Sequence, residues 1–86
     1  MNFSVSTRKN KKYSVVTPKG KVVHFGDKRY SQYKDSVLGV YSNLDNNDTA
    51  RRRSYRRRAR GIKNRQGKAV YRDKESPAYY SYNYLW

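Results

Sequence analysis

The sequence predicts a small α+β fold, built as one unit from an amino-terminal β-hairpin, an arginine-rich helix and an aromatic carboxy-terminal short helix or tail. Three observations carry that expectation. Two β-branched and aromatic runs flank Pro18-Lys19-Gly20, a segment with capping residues from Asp45 to Gly61 is packed with arginine, and Ser76-Pro77 opens an aromatic run reaching Trp86.

Residues 1–10 are polar and basic with Phe3 as the one apolar anchor, and read as an extended basic arm without fixed structure. The domain proper is expected over residues 11–86. Lys11 to Thr17 and Lys21 to Phe25 are rich in Val, Tyr and Phe, the residues that suit a pleated, half-buried surface. Pro18 presets the first turn angle and Gly20 supplies the left-handed conformation that such a loop needs. A two-stranded hairpin is marginal alone in water, so it should pack on another element. Gly26-Asp27 closes the second strand, and Lys28 to Asp35, with Tyr30 and Tyr33 three apart, fits one helical turn or an irregular loop. Leu38 to Tyr41 is a short apolar stretch, and Ser42 to Asp48 a turn leading into a helix.

That helix carries the strongest local signals. Asp45, Asn46, Asn47 and Asp48 supply N-cap candidates, arginines crowd the far end, and Gly61 stands where a left-handed C-cap residue would. Leu44, Tyr55, Ala59 and Ile62 form one narrow stripe at helical spacing, which spreads the arginines over the remaining surface. Ile62 to Glu75 reads as a loop or short strand. Ser76 as N-cap and Pro77 at the first helical position favour a short helix over Ala78 to Trp86, with Tyr79, Tyr82 and Trp86 on one side.

Composition limits the function classes. A chain of 86 residues encloses little interior, and ten of the residues counted in its 35% hydrophobic content are tyrosines whose hydroxyls need partners. With 21 Lys and Arg against 6 Asp and Glu, the formal charge of +15 selects anionic partners. There is no cysteine, hence no disulfide or thiolate chemistry. His24 lies in a strand without companion ligands and reads as structural, and no metal or cofactor is expected. Six dispersed acids offer no paired carboxylates in a pocket, so no enzyme and no small-molecule substrate are expected. Residues 1–12 lack the apolar run of a signal peptide, and no run of apolar residues is long enough for a membrane span.

The candidate binding residues are Arg51, Arg52, Arg53, Arg56, Arg57, Arg58 and Arg60. Between Arg51 and Arg72 there are eleven basic residues and no acidic one. Like charges four apart, such as Arg52 with Arg56, cost a helix about 0.2–0.5 kcal/mol each, so this segment favours neutralisation by a partner. Arginine pairs bidentately with carboxylate or phosphate and stacks on aromatic rings, which lysine does less well. Three readings follow: a nucleic-acid contact, an acidic protein surface, or a solvated basic face. Tyr79, Tyr82, Leu85 and Trp86 form a candidate aromatic anchor, serving either as core or as a plug for a neighbour's groove.

Several spaced blocks carry a resemblance. Tyr13 to Lys21, Phe25-Gly26-Asp27, Tyr30 to Asp35, Asp45 through Arg52 with Tyr55 and Arg58, Ser76 to Ser81 and Leu85-Trp86 together resemble a family of short uncharacterised proteins of nucleocytoplasmic large DNA viruses. The resemblance implies a virion protein, assembled in the virus factory of the host cytoplasm. It would be a structural minor capsid (glue) protein on acidic surfaces of larger capsid proteins, or alternatively a basic protein packaging the viral DNA.

Overall fold

A computed structural model of the protein describes residues 2–86, and the chain is α+β as its sequence predicts. A three-stranded antiparallel sheet in the order β1 (Asn2–Val5), β2 (Lys11–Val16), β3 (Val22–Asp27) is followed by two helices, α1 (Thr49–Gly61) and α2 (Pro77–Tyr84). Short 3-10 turns at Ser42–Leu44 and Val70–Arg72 precede each helix.

The hairpin forms around the turn expected of it. Gly20 has φ +79°, its N–H donates to the Thr17 carbonyl at 2.9 Å, and Thr17 N–H donates to the Lys21 carbonyl at 2.8 Å. The register sets Tyr13 opposite Phe25 and Val15 opposite Val23, so strand alternation gathers these four on one face. All four are buried, together with Tyr80 and Leu85 of the carboxy-terminal segment. Gly26 permits this closure for two reasons: its φ is +77°, and a Cβ there would meet Leu85 Cδ1 at 3.0 Å.

The first segment differs from the expected free arm. Asn2–Val5 pairs with β2, Phe3 opposite Val15 and Val5 opposite Tyr13, and only Met1 falls outside the described residues. The reason is Phe3, which packs edge-on against Phe25 at 6.1 Å and Tyr84 at 5.0 Å. One aromatic on the core side is enough to fix the register, because a one-residue slip would turn it to solvent. Ser6 and His24 add a hydrogen bond at 2.7 Å between Ser6 Oγ and His24 Nδ1, which gives the histidine a structural partner.

Residues 28–48 form an irregular layer held by buried polar groups. Lys12, only 2% exposed, donates through Nζ to the Tyr30 carbonyl at 3.0 Å and to Gln32 Oε1. Gln32 Nε2 donates to the Tyr41 carbonyl at 2.8 Å and to Asp45 Oδ1 at 2.7 Å. Asp35 accepts from Tyr13 Oη at 2.6 Å, from Val37 N–H at 2.9 Å and from Tyr41 N–H at 3.0 Å. A chain poor in aliphatic residues thus fixes its longest irregular segment with a satisfied polar network. Burial lowers the Lys12 pKa from its ordinary value, opposed by the charges of Asp35, Asp27 and Asp45.

Tyr13 makes this network sensitive to alkali. Burial, reinforced by the hydrogen bond to Asp35, pushes its phenol up to about 12 from 10. Folding favours the protonated phenol, so its contribution is complete below pH 10 and is lost as pH rises towards 12. That gap corresponds to roughly 2–3 kcal/mol. Lys12 works in the opposite sense, because its lowered pKa makes stability rise with pH up to about 10.5. Denaturant midpoints followed by circular dichroism should therefore fall between about pH 10.5 and 12, with a smaller fall in Tyr13→Phe.

Two expectations for α1 need correction, its C-cap and its apolar stripe. Asp48 is the N-cap, its carboxylate accepting from Ala50 and Arg51 N–H, but Gly61 is not a left-handed cap. It remains helical, and the chain leaves at Ile62 with φ −82° and ψ 128°, extended because Val70 N–H binds the Ile62 carbonyl at 3.2 Å. The expected apolar stripe also breaks up. Leu44 lies in the preceding 3-10 turn and Ile62 is 55% exposed, leaving Ala59 buried and Tyr55 half-buried as the inward members. In α2, Ser76 caps through Ala78 N–H with Pro77 in the first turn, as predicted.

Candidate anion-binding surface

At about 3.6 residues per turn, α1 has three arginine-bearing sides, and the seven candidate arginines divide among them. Arg52 and Arg56 share the inward side with Tyr55 and Ala59. Arg53, Arg57 and Arg60 form a ridge on one flank, and Arg51 and Arg58 lie on the other.

The inward pair is structural. Arg52 Nε donates to the Trp86 carbonyl at 2.6 Å and Arg56 Nε to the same oxygen at 3.2 Å. Their guanidiniums also lie over aromatic faces, Arg52 over Tyr33 at 4.9 Å and Arg56 over Tyr82 at 4.6 Å. Each such contact is worth about 0.5–2 kcal/mol, enough to offset the repulsion between two arginines one turn apart. The Trp86 ring stacks on Tyr55, centroids 4.6 Å apart and planes 13° apart. Burial raises the Tyr55 phenol pKa, while a hydrogen bond with Ser81 and the charge of Arg58 work against it. Helix α1 is therefore riveted to the end of α2 through arginine and aromatic side chains in place of an aliphatic seam.

The outer five arginines are exposed. Arg60 Nε caps the Arg56 carbonyl at 3.2 Å. None of the five has a carboxylate partner among the described residues, where the salt bridge found is Arg29 with Asp27 at 2.8 Å. Every acidic side chain is occupied elsewhere. Asp27 holds Arg29, Asp35 holds Tyr13, Asp45 accepts from Gln32, and Asp48 caps α1. Asp73 accepts from Glu75 N–H at 2.9 Å, and Glu75 accepts from Thr17 Oγ1. The Arg29 fork holds the Asp27 carboxyl down to about 2, so this carboxylate stays ionised and engaged. The outer surface of α1 is consequently an ordered, uncompensated array of guanidiniums.

The aromatic anchor is mostly spent inside the fold. Leu85 is 2% exposed in the core, Tyr82 is buried against Tyr71 at 5.0 Å, and Tyr79 is half-buried edge-on to Tyr80 at 4.9 Å. Of the four, Trp86 is the one that lines the cleft beside Arg51 and Arg58. The physical reason is the thin aliphatic core, which recruits the tail as its second layer. Tyr30 and Tyr33 also border α1 and were not among the predicted site residues. An arginine at the inward position 52 is a signal for an aromatic partner, which Tyr33 supplies, whereas no local spacing marks Tyr30.

Among the described residues no helix is long and apolar enough to cross a membrane. No curated protein and no solved structure matches the chain. The model of a family of unknown function, DUF5754, matches residues 1–36, which spans the three-stranded sheet and the loop to Ser36 but neither helix.

Proposed function

We propose that the protein is a structural minor capsid (glue) protein that acts by binding, docking its arginine ridge on acidic surfaces of larger capsid subunits in the virion of a large icosahedral DNA virus. The observation that carries this reading is the ridge of Arg53, Arg57 and Arg60, exposed on a capped helix and unmatched by any carboxylate of the described residues. The virion setting rests on the sequence resemblance. Exposed Val5, Val16, Val22, Leu38, Val40 and Ile62 favour a protein partner, since they add apolar area that a protein interface buries and a phosphate backbone does not.

Stepwise disassembly of purified particles tests this. The chain is expected in the shell fraction, and Arg53→Ala/Arg57→Ala/Arg60→Ala is expected to lower its retention there at least tenfold, since interface arginines commonly act as hot spots. Recovery with the DNA and not with shells would remove the glue reading. Arg52 and Arg56 are unsuited to this test, because their loss loosens the helix itself.

The formal charge of +15 favours packaging of the viral DNA as the second reading. In that case the triple variant should flatten the dependence of log K on log salt for duplex DNA by about 3, one for each lost phosphate contact. An unchanged slope would exclude the ridge as a DNA contact.

A further inference from the structure

On the flank of α1 opposite the ridge, a cleft of about 650 Å³ separates the helix from the loop that follows β3. Its aromatic wall is Trp86, stacked on Tyr55, and Tyr30 also lines it, 65% exposed. Arg51 and Arg58, two turns apart on the helix, line it as well and have no carboxylate partner among the described residues. Asp27 is the carboxylate in the wall, and it is already engaged by Arg29 through Nε at 3.0 Å and Nη2 at 2.8 Å. Ser31 and Ser54 add hydroxyl groups.

We infer that this cleft binds a nucleotide unit with an unpaired base, the base lying against Trp86 and Tyr30 and the phosphate held by Arg51 and Arg58. The volume falls in the range of about 300–1,000 Å³ typical of small-ligand sites. Large aromatic area beside free guanidiniums suits a ligand that is planar and apolar at one end and anionic at the other. An acidic side chain would use the arginines and leave the aromatic wall unmatched. Bases within a duplex present no free face to such a wall, whereas unpaired bases stack on aromatic side chains without regard to sequence. The site uses a different pair of arginines from the docking ridge, so it stands whether or not that ridge meets a capsid subunit. A free mononucleotide and a single-stranded nucleic acid both supply this chemistry.

Trp86 is the single tryptophan, so its fluorescence follows binding at this wall, and the Tyr30 and Arg58 variants assign the signal to the cleft. The full chain is titrated at constant ionic strength with AMP, with an oligothymidylate of about eight nucleotides, with ribose 5-phosphate and with poly-glutamate. The expected result is saturable quenching by AMP or the oligothymidylate, and none by ribose 5-phosphate or poly-glutamate. Tyr30→Ala and Arg58→Ala should each weaken it about tenfold, in line with the loss of one stacked base or one phosphate contact. Lys19→Ala, which removes a charge at the hairpin turn, should change it less than about twofold. Saturation by AMP as tightly as by the oligothymidylate identifies free nucleotide as the source, and response to the oligothymidylate alone identifies single strands. Equal response to ribose 5-phosphate, response to poly-glutamate without AMP or oligothymidylate, no response at all, or full binding by Tyr30→Ala and Arg58→Ala would each overturn the assignment. Shell retention through the ridge is read separately, so failure here leaves the docking proposal intact and the reverse also holds.

Discussion

Tyr80→Ala should cost about 3–5 kcal/mol of stability, the largest single-residue effect expected in this chain. A domain of this size commonly holds only on the order of 5–10 kcal/mol, so the variant would lie near its unfolding threshold at 37 °C. Tyr80 is fully buried and joins the sheet to α2 by packing on Phe25 at 5.6 Å and edge-on to Phe3 at 6.3 Å. Its hydroxyl donates to the Lys74 carbonyl at 2.7 Å, which fixes the approach to α2. Truncation would open a cavity among aromatic rings that cannot collapse without moving Phe3 and hence β1. Tyr80→Phe keeps the volume and should lose only about 1 kcal/mol with the hydrogen bond. Guanidinium unfolding of the two variants separates packing from hydrogen bonding. Comparable losses in both would show that the hydroxyl, and not the ring, carries the contribution.

Asp35→Ala is expected to lower stability by about 3 kcal/mol or more, although only a small polar side chain is removed. Asp35 is 8% exposed and accepts from three donors, Tyr13 Oη, Val37 N–H and Tyr41 N–H. Each donor left without a partner in the interior costs about 1–3 kcal/mol. Buried Lys12 would also lose the largest of the charges that oppose its desolvation. In a Tyr13→Phe background one of the three donors is already gone, so the added cost of Asp35→Ala should shrink by about 1 kcal/mol or more. Urea unfolding of the four proteins of this cycle gives the coupling directly. Strict additivity would mean that the Tyr13 to Asp35 contact contributes nothing to the fold. The loop anchored by this network carries Tyr30 and Tyr33 to the side of α1, so its loss should also disturb the cleft.

These two residues mark the boundary between what local reading reaches and what it does not. The hairpin, the N-cap of α1 and the opening of α2 rest on short-range rules: a glycine that takes positive φ at a turn, an acceptor side chain before free N–H groups, and a proline whose missing N–H is harmless at a helix start. Pro18-Lys19-Gly20, Asp48 and Ser76-Pro77 satisfy those rules whatever the rest of the chain does. Gly61 shows their limit, since glycine is permitted in a left-handed cap but not compelled into one. The Ile62 to Val70 pairing decided otherwise.

Three features depended on contacts far apart in sequence. Residues 2–5 became a strand because Phe3 meets Phe25, Tyr80 and Tyr84, partners more than 20 residues away. Lys12, Gln32 and Asp35 became interior because Lys12 donates to Gln32 and Asp35 accepts from Tyr13 and two backbone N–H groups, although composition alone reads such residues as solvent-facing. Arg52 and Arg56 were drawn inward by the Trp86 carbonyl and two tyrosine faces, splitting an apparently uniform basic run into rivet, ridge and cleft. Fold class, the excess of positive charge and its concentration on one capped helix were legible in the chain, because these follow from residue type and spacing. Which arginines remain free and which aromatics are spent on the core emerged with the packed fold, because side chains that can serve either role are assigned by the partners that folding brings within reach.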